Sequence, residues 1–560
     1  MFSAVITDSI LQIWKSIVET ESPIVISNGH GTSERPGTVG YKSILTMSVK
    51  GHVVALELPF WGHIKPLCAL LSRLLRVKPA YVTFFSAAIM RDQIIAEFDR
   101  LFIDAGAAEL KSLVRVVGLP ISPNPFDPDN TLKSAYGEAY KELYAEKPIP
   151  VTPGGELLPA VPKPQFVLLD VFLYDALGLT RAASGKSVPV YVWQSAATGA
   201  LLSLFGPEEF GGLGDLAAKI AKVTETDEAA RMEAIASIYR REDGKLIEIT
   251  GLPPIYDYEL KPQISIAPGG AAGTAILCKD INRFMSESDG VITHTSDLLE
   301  SGPCTMLKKW LGADHAFELG PLSPPASDAE LKKEKETSPV AAEVEAFLDD
   351  ALQKHGEHSV VYISFGTFWW PAEPEKIWTL IDVLIEQKIP FLFSHASPVA
   401  VIPDEIKAKA KDSGLGYLAS WLPQQTILRH KAAGWFITHG GQNSLLESLT
   451  EGVPLIFWPF DADHPINAIN IASVHNAGYE LLEVRSGLGL KPIHRLGGKS
   501  PQGTLESAKA EFIDLFAKAR GEDGKAKRAK AQWFKEQFEK TWEEGGYSAN
   551  ELKKIANIFS

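Results

Sequence analysis

Short apolar runs, each followed by a loop and then by a segment with apolar residues at helical spacing, recur in two separate blocks of this chain. A run buried on both faces is the signature of a parallel strand, and parallel strands need helical crossovers between them. The first block holds "GHVVALELPF", "YVTFFS", "PQFVLLD" and "VPVYVWQS". The first of these runs into Leu67, Leu70, Leu71, Leu74 and Leu75, with Pro66 near the start of that helix. The second block holds "SVVYISFG", "PFLFSH", "GYLASW", "GWFITH" and "PLIFWP". The class is therefore α/β, with two open sheets covered by helices. At 560 residues the chain is also too long for a single core.

The expected division is an appendage over 1–44, a first domain over 45–320, a linker over 321–356 carrying "LKKEKE", and a second domain over 357–535. A closing helix over 536–560 is expected to pack back on the first domain. In the appendage, Ser9 to Glu19 has amphipathic spacing, and its single lysine favours packing on protein over lying on a membrane. The 55 basic residues are outnumbered by 69 acidic ones, so no global positive field exists to attract nucleic acid. Three scattered cysteines, Cys68, Cys278 and Cys304, make neither a disulfide framework nor a thiolate zinc site. No signal-peptide pattern opens the chain and no stretch reaches the roughly 18 apolar residues of a membrane span. The expectation is a cytoplasmic protein without an integral membrane segment.

"THGGQNSLLESLTEGVPL", Thr438 to Leu455, concentrates the chemistry. "GWFITH" supplies a buried strand, Gly440 and Gly441 permit a tight turn with close backbone approach, and Leu445, Leu446 and Leu449 mark the buried face of a helix. A helix start behind glycines presents amide donors and a positive dipole end to phosphate oxygens. His439, Asn443 and Ser444 would add donors, and Glu447, one turn on, could accept both hydroxyls of an attached ribose. A capping box, Ser444 with Glu447, is the competing reading, since it would only satisfy the helix's own amides. The HGG oxyanion loop of esterases is a second competitor, but no G-x-S-x-G elbow exists in the chain.

The wider segment from Trp421 to His464, "WLPQQTILRHKAAGWFITHGGQNSLLESLTEGVPLIFWPFDADH", closely resembles the nucleotide-sugar box of family-1 UDP-glycosyltransferases. Weaker similarity lies at "FWGHIKPL", "ITGLPP" and "SVVYISFGT". The resemblance implies the GT-B fold, two facing Rossmann-like domains with parallel sheets and a cleft between them. It implies that Trp421 stacks on uracil, Glu447 binds ribose, and His439, Gly441, Asn443, Ser444 and Thr367 hold the diphosphate, with Gln424 contacting the nucleotide through its backbone. An indole offers a flat apolar face to a base, while a helix start with imidazole and hydroxyl donors stabilises a departing diphosphate. Asp463 and His464 would meet the sugar hydroxyls, with Gln442 beside them. His464 stands where glucose-transferring members usually carry Gln, and Gln442 where plant members usually carry Trp. UDP-glucose is the expected donor and UDP-galactose the second.

His63 is expected in the loop directly after a strand, where open α/β sheets place ligand groups. A neutral imidazole there can take the proton of an acceptor hydroxyl, and Asp170, closing "FVLLD", can orient it, with Asp175 as a weaker substitute. The resemblance assigns the same pair, His63 and Asp170. Two DxD triplets, Asp127 to Asp129 and Asp461 to Asp463, match a manganese-binding pattern, but both also fit turn and sugar-binding contexts. Activity is expected without a metal or other cofactor, the UDP-sugar being a co-substrate. The reading is an inverting hexose transfer to a small lipophilic or aromatic acceptor, whose walls would come from 120–164 and 203–261. A non-catalytic UDP-sugar binder, or a UDP-sugar hydrolase or epimerase on the same fold, are the rivals. The glycine-rich stretch from Val484 to Gly503 reads as a surface insertion.

Overall fold

A computed structural model describes residues 49–104, 106–121, 131–264, 270–322, 332, 334 and 338–559. The appendage over 1–44 and the triplet Asp127 to Asp129 lie outside the described residues. Two parallel sheets dominate. The first contains β1 (His52–Leu56), β2 (Tyr81–Ala87), β3 (Val114–Leu119), β4 (Phe166–Asp170), β5 (Val190–Gln194), β6 (Gly290–Thr293) and β7 (Ala316–Glu318), in the order β7-β6-β5-β4-β1-β2-β3. The second contains β8 (Val360–Ser364), β9 (Phe391–Ser394), β10 (Gly416–Ala419), β11 (Ala433–Thr438), β12 (Leu455–Phe457) and β13 (Gly478–Glu480), in the order β10-β9-β8-β11-β12-β13. In each sheet the order reverses beside a central strand, β1 or β8, and at such switch points open α/β sheets form ligand crevices. Strands β1, β4, β5 and β8 are buried along their whole length, which is why their sequences are apolar without alternation.

The cores follow the domains. One cluster fills the first sheet, and two others sit on opposite faces of the second, with Phe436 and Tyr362 on one side and Ile437 and Ile363 on the other. The helix Ala341–His355 packs Val344, Leu348 and Ala351 into the second domain, so the described end of the expected linker is part of that domain's cover. Near the C-terminus the helix Glu522–Thr541 packs Ala531, Phe534 and Phe538 on the second domain. The chain then crosses at Trp542 to Gly546, and the helix Tyr547–Ile558 returns to the first domain's core. Leu552, Ile555, Ala556 and Phe559 carry that return at helical spacing. The Trp542 indole N–H donates to the Pro321 carbonyl at 2.6 Å, and the Lys78 ammonium donates to the Ala556 carbonyl at 2.8 Å.

The segment from Val484 to Gly503, read above as a surface insertion, is instead a clasp between the domains. Its Arg495 pairs with Glu259 of the first domain at 3.2 Å and with Glu480 of β13, which also pairs with Arg485 at 2.6 Å. Tyr258 donates its hydroxyl to the Pro492 carbonyl at 2.7 Å. All four charged groups are buried. Glycine richness reflects close approach here, since a Cβ on Gly489 would stand 2.0 Å from the Pro262 carbonyl oxygen.

Candidate active site

The site forms where the C-terminal ends of the two sheets face each other. His63 sits in the first turn of the helix Trp61–Val77, so it belongs to the helix and not to the loop expected from sequence. The helix starts early because Phe60 N-caps it directly after a short bend from β1. Asp170 ends β4, the neighbour of β1, and its Oδ2 lies 2.6 Å from His63 Nδ1. Asp170 is fully buried, whereas the His63 side chain is 21% exposed. The Asp170 Oδ1 accepts the Phe172 amide at 3.0 Å, and the Phe172 ring stacks on the imidazole at 5.4 Å. Backbone and ring contacts thus fix both members of the pair, with Nδ1 committed to Asp170 and Nε2 as the remaining ring nitrogen. Asp175, the weaker substitute, instead faces solvent and pairs with Lys133 at 2.6 Å.

Opposite stands the strand–turn–helix of the second domain, β11 followed by the helix Gln442–Thr450. Gly440 has φ +96°, and Gly441 is the N-cap. A Cβ on Gly441 would stand 2.5 Å from His439 Nε2, so the histidine ring is admitted only because that residue is glycine. Burial pushes the His439 imidazole down to about 4, which keeps it neutral. Asp463 Oδ2 accepts the Gln442 amide at 3.1 Å and the Leu445 amide returns to the Gly441 carbonyl. The amides of Asn443 and Ser444 are therefore the first-turn donors outside the intrahelical ladder. The helix begins three residues before Glu447's supposed capping partner would need it to, placing Ser444 inside the first turn, so the capping-box reading falls.

Glu447 is tied across the cleft. Its Oε1 accepts from the Lys65 ammonium of the first domain at 2.7 Å and its Oε2 from the Gln424 amide at 2.7 Å. Burial alone would push the Glu447 carboxyl up, but Lys65 and Gln424 outweigh it and hold it below the usual carboxylate range. Asn443 donates to the Gly62 carbonyl at 2.7 Å, and the reason lies in the sequence of the opposing helix. Residue 66 is proline, so the carbonyl four residues earlier has no intrahelical N–H to receive. Gln442, expected beside the sugar, donates its amide to the His294 carbonyl at 2.8 Å, also across the cleft. Lys65 and His294 were not legible as site residues, because their partners lie 382 and 148 positions away.

Trp421 is 51% exposed in the turn after β10, free of the core packing that is the usual fate of a tryptophan. Thr367 is exposed in the turn after β8, next to Gly366, whose Cβ position would lie 3.0 Å from the His439 ring. His464 is buried edge-on against His439 at 4.7 Å and against Trp369 at 5.0 Å. Burial drives the Asp463 carboxyl up to about 6 against its bonds to Gln442 and Asn467. Of the "DAD" triplet, Asp461 is occupied by a buried ion pair with Lys261. Among the described residues one group brings metal-ligand atoms together, Glu57, His63 and Asp170, within 4.8 Å of one another. His63 Nδ1 and Asp170 already bond each other there, and burial beside Asp170 pushes the Glu57 carboxyl well above its usual range. That chemistry suits proton handling better than a cation.

A family model described as UDP-glucoronosyl and UDP-glucosyl transferase matches residues 276–486. The UDP-glycosyltransferase eriJ of Hericium erinaceus is 32% identical over 493 residues, covering 86% of this chain and 92% of that protein. The chain belongs to the UDP-glycosyltransferase family. Among solved structures, Phytolacca americana UGT2 complexed with UDP-2fluoro-glucose and pterostilbene aligns over 90% of this UDP-glycosyltransferase and 99% of its own chain, with a TM-score of 0.62 at 20% identity. A transferase from Siraitia grosvenorii in complex with UDP aligns over the same shares with a TM-score of 0.63. These likenesses establish the GT-B fold for this UDP-glycosyltransferase, with its two parallel sheets. Among its described residues no helix is long and apolar enough to cross a membrane.

Proposed function

We propose that this UDP-glycosyltransferase moves a hexose from a UDP-sugar, UDP-glucose before UDP-galactose, to a hydroxyl of a small lipophilic or aromatic acceptor, with inversion and without a metal. The 2.6 Å contact between His63 Nδ1 and Asp170 carries the reading, because it leaves Nε2 as a base beside the cleft. Nε2 takes the acceptor's hydroxyl proton while that oxygen bonds to the anomeric carbon. The bond from that carbon to the diphosphate oxygen breaks with its electron pair, and UDP leaves from the opposite face. Asp170 holds the reactive tautomer and stabilises the imidazolium. The start of helix Gln442–Thr450, with His439, Gly441, Asn443, Ser444 and Thr367, receives the diphosphate charge, while Trp421 stacks on the base, Gln424 contacts the nucleotide through its backbone and Glu447 takes the ribose hydroxyls. Asp463, Gln442 and His464 border the sugar. The commitment of Asp461 to Lys261 and of Asp463 to the Gln442 amide supports metal independence. The Phe60 and Phe172 rings around His63 support an aromatic or lipophilic acceptor.

The test is product analysis by mass spectrometry with UDP-glucose, UDP-galactose and a panel of phenols, sterols and alcohols, with and without EDTA, beside His63→Ala. Glycoside that survives EDTA and vanishes in the variant is the expected result. Glycoside formed by His63→Ala at the wild-type rate would refute the assignment, and UDP binding without glycoside from any donor would favour a non-catalytic binder.

A further inference from the structure

A third acid stands behind the acid–base pair. Glu57 immediately follows β1, and Leu56 of β1 lies opposite Leu169 of β4, so the next residues along, Glu57 and Asp170, emerge side by side at the ends of adjacent parallel strands. The backbone of Glu57 is pinned. Its amide donates to the Phe85 carbonyl at 3.0 Å, and its carbonyl accepts the Ser86 hydroxyl at 3.1 Å. The side chain is fully buried, and no donor reaches either carboxyl oxygen; the polar group it meets is another acid, the Asp170 carboxyl. Glu57, Asp170 and His63 nevertheless bring polar atoms within 4.8 Å of one another. A position with no exposure in a parallel strand run ordinarily holds an apolar residue, so a carboxyl left there with no donor to accept from calls for a role.

We propose that Glu57 is a positioning residue of the pair, a neutral carboxylic acid that presents its hydroxyl to Asp170 and so tempers the pull of Asp170 on His63. The inference rests on the reading of His63 and Asp170 as the acid–base pair. Two carboxyls this close in a buried site cannot both ionise, and Asp170, bonded to His63, is the one that keeps the charge. Burial first, the Asp170 charge second and a hydrogen bond with Asp170 third push the Glu57 carboxyl well above its ordinary range. Besides Asp170 and His63, the Cys68 thiol of the helix that carries His63 lies near it, and burial pushes that thiol up as well. No lysine or arginine among the described residues is a cause of the shift at Glu57. A donor facing Asp170 spreads its negative charge, which makes His63 a weaker base and readier to return the proton.

Glu57→Leu removes the donor and Glu57→Gln keeps one without any charge. The readout is the titration of the His63 imidazole nitrogens by NMR in histidine-labelled protein without substrate, the His63 signal being assigned by its loss in His63→Ala. Glu57→Leu is expected to move the midpoint up by about half a unit to one unit, and Glu57→Gln to restore it to within a few tenths of the wild type. Glu57→Met replaces the leucine variant if that one does not fold. A downward movement in both variants would mean that Glu57 is ionised, and no movement in either would mean that it does not act on the pair; both results overturn the proposal. His63→Ala in the glycoside assay separates the levels. If it keeps turnover, the acid–base reading falls and takes this inference with it. If it is inactive while the Glu57 variants leave the titration unmoved, only this inference falls.

Discussion

Asp170→Asn isolates the electrostatic half of the proposed pair. Asp170 is fully buried, and its Oδ2 is 2.6 Å from His63 Nδ1. With an effective dielectric of about 20 and charge centres about 4 Å apart, a full imidazolium would gain about 4 kcal/mol from the carboxylate. If about half of that charge has developed at the transition state, the amide forfeits about 2 kcal/mol, roughly a thirtyfold loss in rate. An asparagine can also turn its NH2 toward Nδ1, which forces the ring proton onto Nε2 and removes the base from part of the population. Together the two effects predict a fall in kcat of about 100- to 1000-fold. KM for the UDP-sugar should stay within about twofold, because Asp170 lies in the first domain and the nucleotide-facing residues lie in the second. The assay is the initial rate of glycoside formation, by liquid chromatography and mass spectrometry, over a range of UDP-glucose concentrations. The double variant with His63→Ala should be no slower than His63→Ala alone, since residues acting as one unit are not additive. A kcat for Asp170→Asn within about threefold of the wild type, or fully additive losses, would refute the coupling.

The ion pair between Lys65 and Glu447 competes with ribose for one carboxylate oxygen, so Lys65→Met should lower KM for the UDP-sugar by about three- to tenfold. A raised KM would instead make Lys65 a donor contact. Asp463 gives a pH signature: burial lifts its carboxyl from 3.8 to about 6, so the folded protein binds that proton more tightly than the unfolded chain does. Its contribution favours folding below about pH 4 and is lost as the pH rises through about 6, which amounts to at most about 3 kcal/mol. Asp463→Asn keeps an oxygen for the Gln442 amide and should therefore raise the urea midpoint at pH 7.5 and lose that advantage near pH 4. An equal difference at both pH values would rule this out. Arg495→Met leaves Glu259 and Glu480 buried with less compensation and should cost about 3 kcal/mol or more, read as a drop in the denaturant midpoint. An unchanged midpoint would remove the clasp from the stability of the domain interface.

Strands β1, β2, β4, β5, β8, β9, β11 and β12 are recognisable as written in the chain, because a strand buried on both faces must be apolar throughout and the signal is local, while β10 is legible as a short run although it is only half-buried. β3, with Arg115 inside it, and β6, β7 and β13, whose short runs are interrupted by Gly290, by Glu318 and by Gly478 and Glu480, carry too little of that signal, and only pairing with neighbours makes them strands. The nucleotide-facing segment was likewise open to a sequence reading, since strand, glycine turn and helix start are contiguous and their geometry follows from residues a few positions apart. His63 and Asp170 could be named from their strand ends, but their 2.6 Å contact depends on β1 and β4 being neighbours, 107 positions apart in the chain. The same holds for Glu57 beside Asp170, Lys65 on Glu447, Gln442 on the His294 carbonyl and Arg495 on Glu259. Local sequence dictates elements through backbone conformation and the period of burial, whereas the protonation and pairing of these groups follow from which distant surfaces are pressed together and deprived of water.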